Sequence, residues 1–142
     1  MTTIRIAHSP DADDAFMFYA LLQGKVDRAG LEFVDIKEDI ESLNQKAMLG
    51  TYEASAVSLH AYPYIADKYY LLTTGACFGD RYGPVVAASR PLKPKQLLKV
   101  RMGVPGKMTT AVLVLKLYEH HLAGEGKSGI CYSEVPFDKI TD

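Results

Sequence analysis

The stretch IRIAHSPDADDAFMFYALL, from Ile4 to Leu22, contains a complete change of backbone period. Ile4 and Ile6 alternate with Arg5, the two-residue repeat of a strand. The polar run Ser9-Pro10-Asp11-Ala12-Asp13-Asp14 breaks the repeat, as a loop does. An apolar segment follows in which Phe16, Tyr19, Ala20 and Gln23 mark successive helical turns. Asp11 or Asp13 is placed to cap this helix, and Gly24 to stop it in the left-handed conformation that glycine tolerates. Strand, loop and helix in that order open a strand–helix–strand unit.

Working outward, the same alternation continues. Leu31 to Ile36 reads as a second strand, with Leu31 and Phe33 on one face and Glu32 on the other. Ile40, Leu43, Ala47 and Met48 give an amphipathic helix that stops at Gly50. Ala54 to Leu59 reads as a small-residue strand and His60 to Lys68 as a short helix begun near Pro63. Tyr70 to Thr74 and Gly83 to Ala88 read as further strands. Two prolines and three basic residues between Arg90 and Lys95 mark a boundary, so residues 1–90 are expected to form a first α/β lobe and 91–142 the beginning of a second. In the second, Met102-Gly103-Val104 ends a strand, Pro105 to Thr110 turns, and Ala111 to Leu122 is an apolar helix closed by Ala123-Gly124-Glu125-Gly126. Ile130 to Phe137 is the next strand, and Asp138 is placed to cap a helix only just begun at Asp142. The fold class predicted is α/β with a mainly parallel sheet. The second unit has few strands left to cover its faces.

Composition narrows the function. Of 142 residues, 48% are apolar and 23% charged, too hydrophobic for a disordered chain. Sixteen basic residues against 17 acidic ones leave a net charge of −1 with no long block of either sign, so neither nucleic acid nor a membrane surface is an expected partner. The longest apolar run, Phe16 to Leu22, is far shorter than the ~20 residues of a membrane helix. The acids before it are unlike the basic start of a secretory signal, and a cytoplasmic protein is expected. Cys77 and Cys131 have no CxxC spacing and are expected to be reduced and buried.

Two loops carry candidate chemistry. In Val104-Pro105-Gly106-Lys107-Met108-Thr109-Thr110 the threonines fall at a helix start, where unpaired N–H groups and the helix dipole attract an anion. Their hydroxyls are suited to a carboxylate; equally, one of them can serve only as the helix cap. The GxxxxGK[ST] spacing of a phosphate loop is absent. In His8-Ser9-Pro10-Asp11-Ala12-Asp13-Asp14, one imidazole and three carboxylates lie between a strand's carboxyl end and a helix start, the edge at which α/β sheets bind ligands. The spacing does not match an EF-hand, and no metal is expected. Ser58-Leu59-His60 lacks a GxSxG elbow, so Ser58 is expected to hydrogen-bond a ligand and His60 to cap or pack. His120 and His121 complement a helix C-terminus. Tyr62, Tyr64, Tyr69 and Tyr70 are expected to pack.

Taken in order, the opening motif His8 to Leu21, Glu38 to Asn44, Ala56-Val57-Ser58, Gly83-Pro84-Val85-Val86 and Val104-Pro105-Gly106-x-x-Thr109-Thr110 resemble the 1,4-dihydroxy-6-naphthoate synthases of the futalosine route to menaquinone. The resemblance runs from the first strand to Asp142 and corresponds to the amino-terminal portion of that family. It implies a two-lobed fold like that of type II periplasmic binding proteins, the second lobe incomplete here. It also implies a carbon–carbon lyase that cleaves cyclic dehypoxanthine futalosine to 1,4-dihydroxy-6-naphthoate and dihydroxyacetone, without metal or organic cofactor. Matched position by position, Ala56, Val57 and Ser58 fall on the ligand-binding strand end of the first lobe. Thr109 and Thr110 fall on the carboxylate-holding helix start of the second, and Ser9 and Asp14 on the loop lining the cleft.

Ala12 stands where the family commonly has a proline. The family's proposed base is a histidine in an Ile-His-Glu segment, and none of the four histidines here lies in one, so no catalytic residue is assigned within this chain and turnover by it alone is not expected. Other readings are chorismate dehydratase of the same route and a non-catalytic intracellular solute binder. A small carboxylate is the expected partner, and a homodimer is left open.

Overall fold

In a computed structural model, residues 1–124 and 129–140 are described. Among the described residues the chain is mixed α/β and every ladder is parallel, as the alternation of periods predicts. It divides into two compact units, Met1–Phe78 and Gly79–Asp142; the proline-rich shift at Arg90 to Lys95 lies inside the second. No helix among the described residues is long and apolar enough to cross a membrane.

The first unit is built on β1 (Thr2–His8), α1 (Ala12–Leu22), β2 (Leu31–Lys37), α2 (Ile40–Met48) and β3 (Ala54–Ser55). β1 is central, in the order β2-β1-β3. It pairs with β2 along its whole length, from Thr2↔Leu31 to His8↔Lys37, and with β3 at Ile6↔Ala54 and Ala7↔Ser55. Burial follows this position: Ile6 and Ala7 join Leu43, Ala47, Ala61 and Ile65 in the core. α2 begins as its sequence prescribes, the Asp39 side chain accepting from the Ser42 N–H at 3.0 Å.

α1 keeps Asp11 as its N-cap residue and adds a tie at its start that the sequence reading did not assign. Its N-cap residue is Asp11, whose side chain makes no capping bond; the acid that ties down the helix start is Asp14, which accepts from the Ser9 N–H at 2.7 Å. Its Phe16 and Tyr19 face outward, at 87% and 52% exposure, while Asp14 is buried. A segment apolar on nearly every side gives periodicity little to point with.

The strand expected over Ala54 to Leu59 is only two residues long. The Ser58 N–H goes to a side chain, Asn44 Oδ1 at 2.8 Å, and the Ser58 carbonyl accepts from Ala61 and Tyr62, which turns the chain out of the ladder. The helix expected from His60 to Lys68 shrinks to a 3-10 turn at Tyr62–Tyr64. Tyr70 to Thr74 and Gly83 to Ala88 are not strands. Tyr70, Leu72 and Val85 are exposed, and apolar alternation makes a strand only where a neighbour offers a ladder. The cysteines expected to be buried are both free and exposed.

In the second unit a 3-10 turn at Pro94–Lys99 leads into β4 (Arg101–Val104), α3 (Thr110–Ala123) and β5 (Cys131–Glu134). β4 and β5 pair in parallel from Arg101↔Cys131 to Val104↔Glu134. α3 packs on the 3-10 turn, and Val104 and Val112 are buried. β5 is shorter than the Ile130 to Phe137 expected, since Pro136 has no N–H to donate. Of the closing segment predicted for α3, Glu125 and Gly126 lie outside the described residues, as does Asp142.

One exposed pair extends the short β1–β3 ladder. Glu53 takes the Arg5 backbone N–H at 2.8 Å and grips its guanidinium through Nε at 2.9 Å and Nη2 at 2.6 Å. The guanidinium, followed by that backbone N–H, holds the Glu53 carboxyl down at about 2, against an ordinary 4.5. A depressed carboxyl stabilises the fold above its unfolded value, and that stabilisation is lost as pH falls through the folded one. The difference in unfolding free energy between wild type and Glu53→Gln should therefore be constant above about pH 5 and shrink as pH drops from 4.5 towards about 2. Urea unfolding at a series of pH values measures it, and added salt should reduce it at every pH.

Candidate functional site

The order β2-β1-β3 contains a reversal. From β1 the chain passes through α1 to β2 on one side, then through α2 to β3 on the other. Connections that leave neighbouring strands in opposite directions open a crevice at their carboxyl ends, where open α/β sheets take ligands. Ser9 follows β1 there, and Ala56 to Ser58 follow β3. Asp14 is brought to the same edge by its bond to the Ser9 N–H.

The Ser9–Asp14 loop is tied at several points. Ser9 and Asp14 are buried, and Ser9 Oγ accepts from the Asp11 N–H at 3.2 Å. His8, at the end of β1, lies beneath the loop with its ring against Phe18 and makes polar contacts with the Ser9 carbonyl and Asp35.

Across the edge, Ala56 continues the pairing by donating to the Ala7 carbonyl at 2.8 Å. Val57 is half-buried and Ser58 is 9% exposed. Asn44, fully buried on α2, holds Ser58 with both ends of its amide: Oδ1 accepts from the Ser58 N–H at 2.8 Å and Nδ2 donates to Ser58 Oγ at 3.0 Å. A hydroxyl has one proton to give, and here an acceptor position is already filled by Asn44. Ser58 is thereby set up as a donor, the role a carboxylate requires. Asn44 was not singled out by sequence reasoning. The signal was present, because it is a polar residue inside the apolar stripe of Ile40, Leu43, Ala47 and Met48.

In the second unit, the loop between β4 and α3 turns at Gly106, whose φ of 155° favours glycine. Thr109 is buried and its hydroxyl works for the helix: it donates to the Gly106 carbonyl at 2.9 Å and accepts from the Val112 N–H at 3.4 Å. Capping is therefore one role of Thr109. Thr110, the first residue of α3, is half-buried and is the hydroxyl of the pair not used for the cap.

Asp13, Asp14 and Cys77 bring ligand-type atoms within 4.8 Å of one another. Hydrogen bonding already links two of them. The Cys77 thiol donates to Asp13, which together with some loss of hydration pushes the thiol up to about 11, and in return lowers the Asp13 carboxyl. The thiol is protonated near neutral pH and is not an activated nucleophile. His60 meets the Tyr64 ring edge-on at 6.4 Å, a packing contact. An open depression of about 570 Å³ in the second unit, between Ser89, Arg90, Leu97 and Tyr118 among others, contains none of the expected site residues.

Comparison with known proteins gives consistent findings. A family model described as menaquinone biosynthesis matches residues 4–142. A Thermus thermophilus protein named 1,4-dihydroxy-6-naphtoate synthase is 35% identical over 140 residues, 99% of this chain and 47% of its own length. A Streptomyces coelicolor protein of the same name is 32% identical over 139 residues, 97% of this chain and again 47% of its own. The crystal structure of an Archaeoglobus fulgidus protein superposes with a TM-score of 0.82 at 50% identity, covering 97% of this chain and 48% of that one. The chain spans about half the length of the relatives it matches.

Two expectations follow from this geometry. Asn44→Ala leaves the Ser58 N–H buried without its acceptor and should cost about 1–3 kcal/mol in urea unfolding, whereas Asn44→Asp keeps that acceptor and turns the Ser58 hydroxyl inward. Alkylation of Cys77 by iodoacetamide should rise with pH towards a midpoint of about 11. In Asp13→Asn, which removes the negative acceptor, the midpoint should fall towards the ordinary thiol range.

Proposed function

The chain belongs to the menaquinone biosynthesis family, and from that premise we propose that it provides the first part of a 1,4-dihydroxy-6-naphthoate synthase. The reaction is a carbon–carbon lysis of cyclic dehypoxanthine futalosine to 1,4-dihydroxy-6-naphthoate and dihydroxyacetone. The observation that carries this reading is the Asn44–Ser58 latch at the strand-order reversal. It fills an acceptor position of the Ser58 hydroxyl and so leaves its proton for a ligand, at the strand end to which the resemblance assigns binding. The names of the two relatives, each similar across nearly the whole chain, support it.

In this reading the fold is of the kind found in type II periplasmic binding proteins, built of two α/β lobes. Residues 1–90 form the first and 91–142 begin the second. Ser58 gives one hydrogen bond to the substrate carboxylate, with Ala56 and Val57 supplying the backbone beside it and Ser9 and Asp14 lining the cleft. In the second unit, Thr110 and the first-turn N–H groups of α3 offer a carboxylate donors of their own, aided by the helix dipole, while Thr109 holds that turn in shape. These groups bind and orient. The proton transfer belongs to a base in an Ile-His-Glu segment, which these 142 residues do not contain. No metal or organic cofactor enters the scheme, and the setting is cytoplasmic.

The test is to incubate the chain with cyclic dehypoxanthine futalosine, alone and mixed with the half of the Thermus thermophilus relative that it does not match, and to follow the naphthoate by absorbance. Binding without turnover is expected alone, and product only in the mixture. Thr110→Val should weaken calorimetric binding by about 1.5–3 kcal/mol, the worth of a hydrogen bond to a charged group. Absence of both binding and product would sink the assignment. Conversion of chorismate instead would make the protein a dehydratase.

A further inference from the structure

His8 is 1% exposed, and its side chain makes two polar contacts inside the first unit. Both of its ring nitrogens face oxygen. Nδ1 lies 2.6 Å from the Ser9 carbonyl oxygen, and Nε2 lies 2.9 Å from Asp35 Oδ1. A carbonyl has no proton to offer. The other Asp35 oxygen is 3.2 Å from Lys37 Nζ, an arrangement that suits an ionised carboxylate. Each contact therefore needs the ring as donor, and an imidazole that donates from both nitrogens is the imidazolium. The ring also lies against Phe18, with centroids 4.8 Å apart and planes inclined by 30°, a surrounding that accepts a cation.

Charged groups surround the contact from two elements: from β2, Asp35 meets the ring and is itself paired with Lys37, and from α1, Asp14 holds the Ser9 N–H. Ser9 is thus held twice, by its carbonyl from His8 and by its N–H from Asp14. We infer that His8 is a positioning residue, a buried imidazolium clasped between Asp35 and the Ser9 carbonyl that fixes the Ser9–Asp14 loop at the strand-order reversal. Loss of either ring proton sets a nitrogen lone pair against an oxygen lone pair, and the loop loses one of its ties. The consequence for ligand binding rests on the function proposed above. The clasp itself is a property of the free protein.

Nitrogen-15 spectra of the 142-residue chain test the clasp directly. At pH 7 the His8 ring should show two protonated nitrogens in the wild type and one in Asp35→Leu. Exchange of the Ser9 and Asp11 amides should accelerate about ten-fold in Asp35→Leu, the effect of one lost hydrogen bond. Asp35→Asn, which keeps an oxygen acceptor, should stay within about two-fold of wild type. Affinity for 2-naphthoate, an aromatic carboxylate probe, should follow the same order. A wild-type ring with a single protonated nitrogen overturns the inference, and so does amide exchange that Asp35→Leu leaves unchanged or that Asp35→Asn raises equally. If the ring carries two protons and the amides behave as expected while 2-naphthoate fails to bind the wild type, the clasp stands and the carboxylate reading falls.

Discussion

β1 is hydrogen-bonded along both edges, and where that pairing ends decides everything built on the first unit. A central strand buries its middle residues, so Ile6 and Ala7 lie in the core and the residues after them come to the carboxyl edge of the sheet. β2 and β3 reach opposite sides of β1 because the two helical connections run in opposite directions. The backbone groups at that edge must still be satisfied. Side chains complete the ladder: Glu53 on the Arg5 N–H at one end of the β1–β3 pairing, Asn44 on the Ser58 N–H at the other.

That solution places polar groups in the interior, which is costly unless each has a partner. His8, Ser9, Asp14, Asn44 and Ser58 are all buried, and each is hydrogen-bonded. Such a network fixes positions more sharply than apolar packing does, because each bond has a direction. Groups held in this way need little further ordering when they meet another molecule. The same local satisfaction operates at α3, where Thr109 spends its hydroxyl on the helix start.

The second unit shows the opposite condition. Among the described residues its sheet has two strands, and α3 carries exposed apolar side chains at Val114, Leu117 and Tyr118. A helix and two strands bury little surface by themselves. The segments Tyr70 to Thr74 and Gly83 to Ala88 read as strands and are not paired, so their apolar side chains also stay in solvent. Pattern describes what a segment suits, and a ladder needs a second strand that the pattern cannot supply.

Much was legible in the sequence because it depends on near neighbours. The change of period from Ile6 to Phe16, the stripe of α2 capped at Asp39, the glycine turn before Thr109 and the alternation that makes the fold α/β are all local, and the family resemblance adds up such local motifs. What the tertiary structure decided is non-local. Asn44 reaches Ser58 fourteen positions away, His8 reaches Asp35 across twenty-seven, and Asp14 rather than Asp11 closes the opening loop. Residue types alone assign no partner to a buried polar group. The partner follows from strand order, and strand order is set only when β3 crosses to the far side of β1.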